Sequence, residues 1–251
     1  MITPFSATRA TFVQLGLACV AALTLIVSPA QAATTGSGRV ASENRNLSDF
    51  EAISLSGSMD LIVRQGSKES VEVSADDNVL PLIETVVESG AAGKTLHVRF
   101  KRGERVWTKA PVKVTVQVVR LVGLASSGSG NLRVEGLKTP ILKLAISGSS
   151  DARFSELDAD AFEVRVAGSG DVQANGHARQ VKVSIAGSGD VKLASLAAND
   201  VTVSIAGSGD ATVQANKSLG VSIAGSGDVQ YSGTATDVRS SVAGSGRVTK
   251  K

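Results

Sequence analysis

Apolar and polar residues alternate in short runs along most of the chain. Phe162, Val164 and Val166 are separated by Glu163 and Arg165, Val181, Val183 and Ile185 by Lys182 and Ser184, and Val201, Val203 and Ile205 by Thr202 and Ser204. A period of two turns one set of side chains to a core and the other to water, the pattern of a half-buried strand. Each run ends at Gly-Ser-Gly-Asp or a near variant, beginning at Gly128, Gly148, Gly168, Gly187, Gly207, Gly225 and Gly244. A second short strand follows, as in Val191-Lys192-Leu193 or Val229-Gln230-Tyr231. The motif recurs every 18 to 20 residues, and a weaker copy, Gly57-Ser58-Met59-Asp60, extends the design towards the N-terminus.

Aligning the repeats gives columns of like residues. Two positions before each Gly stand Ile146, Val166, Ile185, Ile205, Ile223 and Val242. One after each Asp position stand Leu132, Ala152, Val172, Val191, Ala211, Val229 and Val248. The interval is too short for a propeller blade of about 40–45 residues, and the leucine-rich pattern is missing. If each interval is one turn of a coil, equivalent residues stack about 4.8 Å apart in parallel strands, and the columns become ladders filling the interior. The predicted fold is therefore all-β, a parallel β-helix (β-solenoid) with coils of about 19–20 residues and Gly-Ser-Gly-Asp corners. Length changes fall between the Asp position and the next strand. The motif side is thus the uniform corner, and the opposite side absorbs variation.

Before Gly128 the repeat blurs, but Phe50 to Leu55, Met59 to Val63, Val71 to Val73, Leu96 to Phe100 and Val112 to Val118 still read as strands, with one helical turn within Asp76 to Leu82. No Pro-rich linker intervenes, so residues 46–251 are expected to form a single domain. Residues 33–45, rich in Ser, Thr, Gly and Asn, are expected as a flexible leader. Arg9 is the only charge within residues 1–32, where it precedes an apolar run from Phe12 to Val27 and an Ala30-x-Ala32 end. This is the pattern of a signal peptide cleaved near Ala32, with no stable membrane span afterwards.

Composition narrows the chemistry. Aromatics make up 3% of a chain that is 42% hydrophobic, so the core must come from Val, Ile, Leu and Ala. One cysteine and two histidines exclude a Cys/His metal centre or a disulfide framework. The net charge of +3 hides a basic segment in which Lys94, Arg99, Lys101, Arg102, Arg105, Lys109 and Lys113 face Glu104 alone. Export and a single Trp107 argue against nucleic acid as its partner, leaving a solvated loop or contact with anionic envelope polymers.

The strand-Gly-Ser-Gly-Asp repeats, the Leu80-to-Val87 stretch and the late Asp228-Val229-Gln230-Tyr231-Ser232-Gly233 resemble the bacterial family of auto-transporter adhesin head domains, the head GIN domain. The resemblance covers about residues 45–249 and implies an exported β-helical protein of the periplasm or cell envelope. It brings no catalytic residues to carry over. No barrel strands follow Lys251, so self-secretion as an autotransporter is not expected.

The remaining candidate chemistry is the Asp row. Asp151, Asp171, Asp190, Asp210 and Asp228 would stack on one edge between Asn131 and Arg247. Neighbouring carboxylates at coil spacing repel by about 1 kcal/mol even in water, so the row needs compensation. Backbone N–H groups or turn serines would supply it, as in Asx turns. Two alternatives remain: calcium held by the corner carboxylates, and polysaccharide cleavage by a carboxylate pair. Uniformly short repeats leave no long loops to build a water-excluding cleft for the latter. His97 and His177 have no nearby nucleophile pattern. The expected function is a non-catalytic binding or structural module, without cofactor and monomeric. It would meet envelope polysaccharide, a cell surface or a protein partner through the Asp row together with Lys101, Arg102 and Arg105.

Overall fold

The computed structural model describes residues 33–90 and 93–251; the predicted signal peptide, residues 1–32, lies outside the described residues. The N-terminal part holds β1 (Thr34–Thr35), β2 (Val40–Arg45), β3 (Ala52–Gly57), β4 (Asp60–Gln65), β5 (Ser70–Asp76), β6 (Ile83–Gly90), β7 (Gly93–Phe100), β8 (Val106–Trp107) and β9 (Lys113–Val118). The repeats follow as β10 (Gly123–Gly128), β11 (Asn131–Glu135), β12 (Lys138–Gly148), β13 (Asp151–Gly168), β14 (Val172–Gly187), β15 (Val191–Gly207), β16 (Ala211–Gly225), β17 (Val229–Ser232), β18 (Asp237–Gly244) and β19 (Val248–Lys250). A 3-10 turn at Leu80–Leu82 interrupts the strands, close to the expected helical turn.

The chain is a β-solenoid, and its columns are those written in the sequence. Ile146, Val166, Ile185, Ile205, Ile223 and Val242 pair in register along one parallel ladder. Leu132, Ala152, Val172, Val191, Ala211, Val229 and Val248 do so along the ladder beyond the corner. Interior members of both columns are buried, whereas Val242, at the last coil, is 41% exposed because no further coil covers it. Each corner is also tied between coils: the N–H groups of Ser169, Ser188, Ser208 and Ser226 donate to the preceding coil's Gly carbonyl, each at 2.9 Å. The opposite side absorbs the length changes, with register shifts between Phe154 and Leu157, Gln173 and Asn175, and Leu193 and Ala197.

One altered corner is matched by a second change. The third corner residue points back at the residue two before the preceding coil's first Gly. A Cβ on Gly170 would lie 3.0 Å from Ile146, and one on Gly209 3.0 Å from Ile185. Ser150 fills that position with a side chain, and the residue it meets is Ser126, where neighbouring coils have Leu55 and Ile146. Both serines are buried and their hydroxyls hydrogen-bond at 2.8 Å. The smaller Ser126 therefore makes room for Ser150 and satisfies its hydroxyl.

The weak copy at Gly57 is a genuine corner: Gly57 pairs with Gly128, and Leu61 with Leu132. Residues 66–122 thus leave the solenoid after one coil and return to its edge. There β7 runs parallel to β3 and β9 parallel to β4. Antiparallel strands finish the end, with β6 on β7, β5 on β9, and β2 on β5. Antiparallel pairing occupies edges that a bare parallel coil would leave open.

Residues 33–45 do not form the flexible leader their composition suggests. β1 pairs with β8, and β2 pairs with β5 over its full length. The cause is a distant acceptor, the fully buried Asp76. Its Oδ1 accepts the Gly38 N–H at 2.7 Å, and its Oδ2 accepts the N–H groups of Lys109 at 2.9 Å and Ala110 at 3.2 Å. Asn78 accepts the Ser37 N–H and donates to the Thr35 carbonyl. Burial alone would push the Asp76 carboxyl up, but the three N–H donors and the Lys109 ammonium hold it below its ordinary value. A depressed carboxyl stabilises the fold above the unfolded pKa, 3.8, and that contribution is lost as pH falls through the folded value. Asp76→Asn keeps the shape but turns an NH2 group onto N–H donors. The expected result is loss of hydrogen-exchange protection in residues 40–45 at neutral pH and a Tm fall of roughly 10 °C. The wild type should show the same local loss only below about pH 4.

Candidate ligand-binding face

The strands after the corner present two outward columns. The first contains Asp60, Asn131, Asp151, Asp171, Asp190, Asp210, Asp228 and Arg247, so Asp60 extends the predicted row beyond Asn131. The second lies two residues further on. There Ile62, Arg133, Arg153, Gln173, Lys192, Thr212, Gln230 and Thr249 pair in sequence.

Backbone donors compensate the acidic row, but they come from the next coil rather than from the carboxylate's own turn. Oδ1 of Asp151 accepts the Asp171 N–H at 3.1 Å, that of Asp171 the Asp190 N–H at 3.0 Å, and that of Asp190 the Asp210 N–H at 3.2 Å. Asp210 and Asp228 continue to the N–H groups of Asp228 and Arg247, at 2.7 and 2.9 Å. Carbonyls close the link in return, as where the Asp171 carbonyl accepts the Ala152 N–H at 2.8 Å. Each Oδ1 is therefore fixed, and Oδ2 takes no part in this link between coils. The Lys192 ammonium lies 3.1 Å from Oδ2 of Asp171 and 3.4 Å from that of Asp190, while Arg247 lies 3.7 Å from Oδ2 of Asp228. Burial pushes the Asp171 carboxyl up, yet the Asp190 N–H, Lys192 and the charge of Arg153 together hold it below its ordinary value. The hydrogen bond that Lys192 donates to Asp171 is the main reason the pKa of its ammonium is raised.

The basic segment does not act as one patch. Lys94 is bound to Asp49, and Arg99 to Glu84 at 2.7 Å and Glu88 at 3.2 Å. Lys113 pairs with Asp60 in β4 and so belongs to the Asp row. Lys101, Arg102 and Arg105 are exposed on the connection between β7 and β8, beside Trp107, which is 71% exposed. Among the described residues no ion pair, hydrogen bond or shared depression joins these three cations to the Asp row. Nor does any group of three or more His, Cys, Asp or Glu side chains converge as a metal ion requires. Three shallow depressions follow the row. The largest, about 340 Å³, is lined by Asp60, Ile62, Lys113, Asn131, Arg133 and Arg153, together with the strand at Leu61 and Leu132. Attention to contiguous charge missed this cluster. Projecting the 18-to-20-residue register two positions past each Asp would have found it.

Comparison with protein families gives one assignment: residues 49–235 match the family described as "Putative auto-transporter adhesin, head GIN domain". The chain belongs to this family. The same fold is found in a putative adhesin from Bacteroides fragilis, 24% identical, with a TM-score of 0.82 over 87% of this chain and 100% of that one. It recurs in a putative adhesin from Parabacteroides merdae, also 24% identical, with a TM-score of 0.68 over 87% and 98% of the two chains. A protein from Parabacteroides distasonis named as a putative lipid binding protein has a TM-score of 0.70 at 24% identity, over 88% and 100%. Comparison with curated proteins gives no match. The family description fits an exported or surface role for this head GIN domain. Among its described residues no helix is long and apolar enough to cross a membrane.

Proposed function

We propose that this head GIN domain is a non-catalytic binding module of the bacterial envelope, exported through its N-terminal signal and making adhesin-like contact with surface polymers. The observation that carries the reading is the outward face of the solenoid. It is rigid, repeats at coil spacing, and displays carboxylates locked by backbone donors beside basic, amide and hydroxyl side chains. Such a face contacts an extended partner at many weak points rather than enclosing one reacting bond. Against the upward push of burial, the Asp190 N–H, Lys192 and Arg153 hold the Asp171 carboxyl below its ordinary value, the opposite of what a general acid needs. Lys101, Arg102 and Arg105 add a second electrostatic contact.

The test is binding of the purified protein to an array of glycans and envelope polymers at low and at physiological salt. Retention of acidic polymers that weakens with salt, with no cleavage products, is the expected result. Product release abolished by a single Asp substitution would make the protein an enzyme. Absence of any bound polymer would leave a structural role or a protein partner.

A further inference from the structure

The acidic row is interrupted once within the stack, at Asn131, and this is also where unpaired cations gather. Arg133 and Arg153 are direct neighbours on adjacent coils, and Lys113 stands one coil beyond Asp60. Like charges directly opposite each other in a sheet destabilise it. Lys192, in the same column, is relieved by Asp171 and Asp190. Arg133, Arg153 and Lys113 have no carboxylate within ion-pair distance among the described residues. Asn131 meanwhile directs its backbone N–H and its Nδ2 to one oxygen, Oδ1 of Asp60, at 3.0 and 2.8 Å. The neutral amide removes the negative charge that an aspartate would place in the middle of the depression. Three cations and one carboxylate, Asp60, line about 340 Å³ of open space, which leaves an excess of positive charge there.

We propose that this depression seats a carboxylate or sulfate group of an acidic polysaccharide, whose chain then runs along the neighbouring coils. The inference rests on the binding-module reading and gives it a site and a ligand class. Planar guanidinium forks suit a two-oxygen anion, and strand residues in register hold the forks in place. Beyond Arg153 the same column offers Gln173, Thr212 and Gln230 beside the Asp row, bordering two further depressions. Amides, hydroxyls and fixed carboxylates spaced along a line match the hydroxyls of an extended sugar chain. A lipid surface fits this place poorly. The large exposed hydrophobics, Val40, Trp107, Val119, Ile141, Val238 and Val242, all lie outside the two columns.

The experiment is calorimetric titration of the purified protein with tetragalacturonate, a sulfated oligosaccharide and neutral maltotetraose. The variants are Asn131→Asp, the Arg133→Gln/Arg153→Gln pair, and, as a control, Lys217→Gln, an exposed cation outside both outward columns. One acidic oligosaccharide should bind, with the uronate and sulfate arms deciding which oxyanion is held, while maltotetraose should not. Affinity should fall at least tenfold in the first two variants and stay unchanged in the third. The arginine pair loses a like-charge contact and should melt no lower than the wild type. Equal affinity in the first two variants, no binding of either acidic oligosaccharide, or preference for phosphatidylglycerol vesicles would overturn the site. If array polymers still bind in that event, the module reading survives the loss of this site; an empty array removes both.

Discussion

Gly207→Ala is expected to cost about 4 kcal/mol or more, enough to unfold much of the protein under mild denaturant. Gly207 holds φ at +140°, where an L side chain is strained. A Cβ there would also stand 2.2 Å from the Gly187 carbonyl oxygen of the preceding coil, and 3.1 Å from that residue's N and C. The obstruction is backbone already bonded into the ladder, so no side-chain rotation relieves it. The control lies in the same coil. Gly220 has open space around a built Cβ, and Gly220→Ala should be neutral or stabilise by about 0.4–1 kcal/mol through the unfolded chain. Urea unfolding of the two variants checks the contrast. Similar midpoints would mean that the corner does not require glycine.

Phe162→Ala should cost about 3–5 kcal/mol, measured as a lower urea midpoint at unchanged m-value. Aromatics are scarce, and two of them meet inside one coil: the rings of Phe154 and Phe162 are 5.3 Å apart at 65°, edge to face. Phe162 is 1% exposed, stacked between Leu142 and Val181, while Phe154 lies against the smaller Ala174. Removing the ring leaves a void between three ladders of fixed backbone, which cannot collapse as a loose loop would. Phe162→Leu keeps most of the volume and should cost less than about 1.5 kcal/mol. Equal losses in the two variants would assign the effect to the aromatic contact rather than to the cavity.

The solenoid was legible because its signal is repeated: columns such as Ile185, Ile205 and Ile223 state both the strand and its register. The end structure was not. Alternation in Val71 to Val73 or Leu96 to Phe100 marks strands but carries no direction, so antiparallel β5 and β6 could not be told from further coils. The leader was misread because Ser, Thr and Gly signal flexibility only where nothing accepts their N–H groups. The acceptor for Gly38 is Asp76, 38 residues away, and no local pattern announces it. The Asp row was legible as a stack, though the source of its compensation was not. A carboxylate reaching the following coil rather than its own turn depends on coil spacing, which only the folded chain sets.

That reach gives the stack a sense of direction. Every aspartate from Asp151 to Asp228 hands an acceptor forward and receives through its N–H the one behind or the carbonyl of Gly130. Asp60 has this acceptor to give, and Asn131 takes it with two donors. Arg247 takes one from Asp228 and has no carboxylate to pass on. The coils therefore resemble the monomers of a polar filament, with chemically distinct starting and finishing faces. A coil copied in the middle would find partners on both sides, whereas one turned end for end would bring acceptor to acceptor and donor to donor.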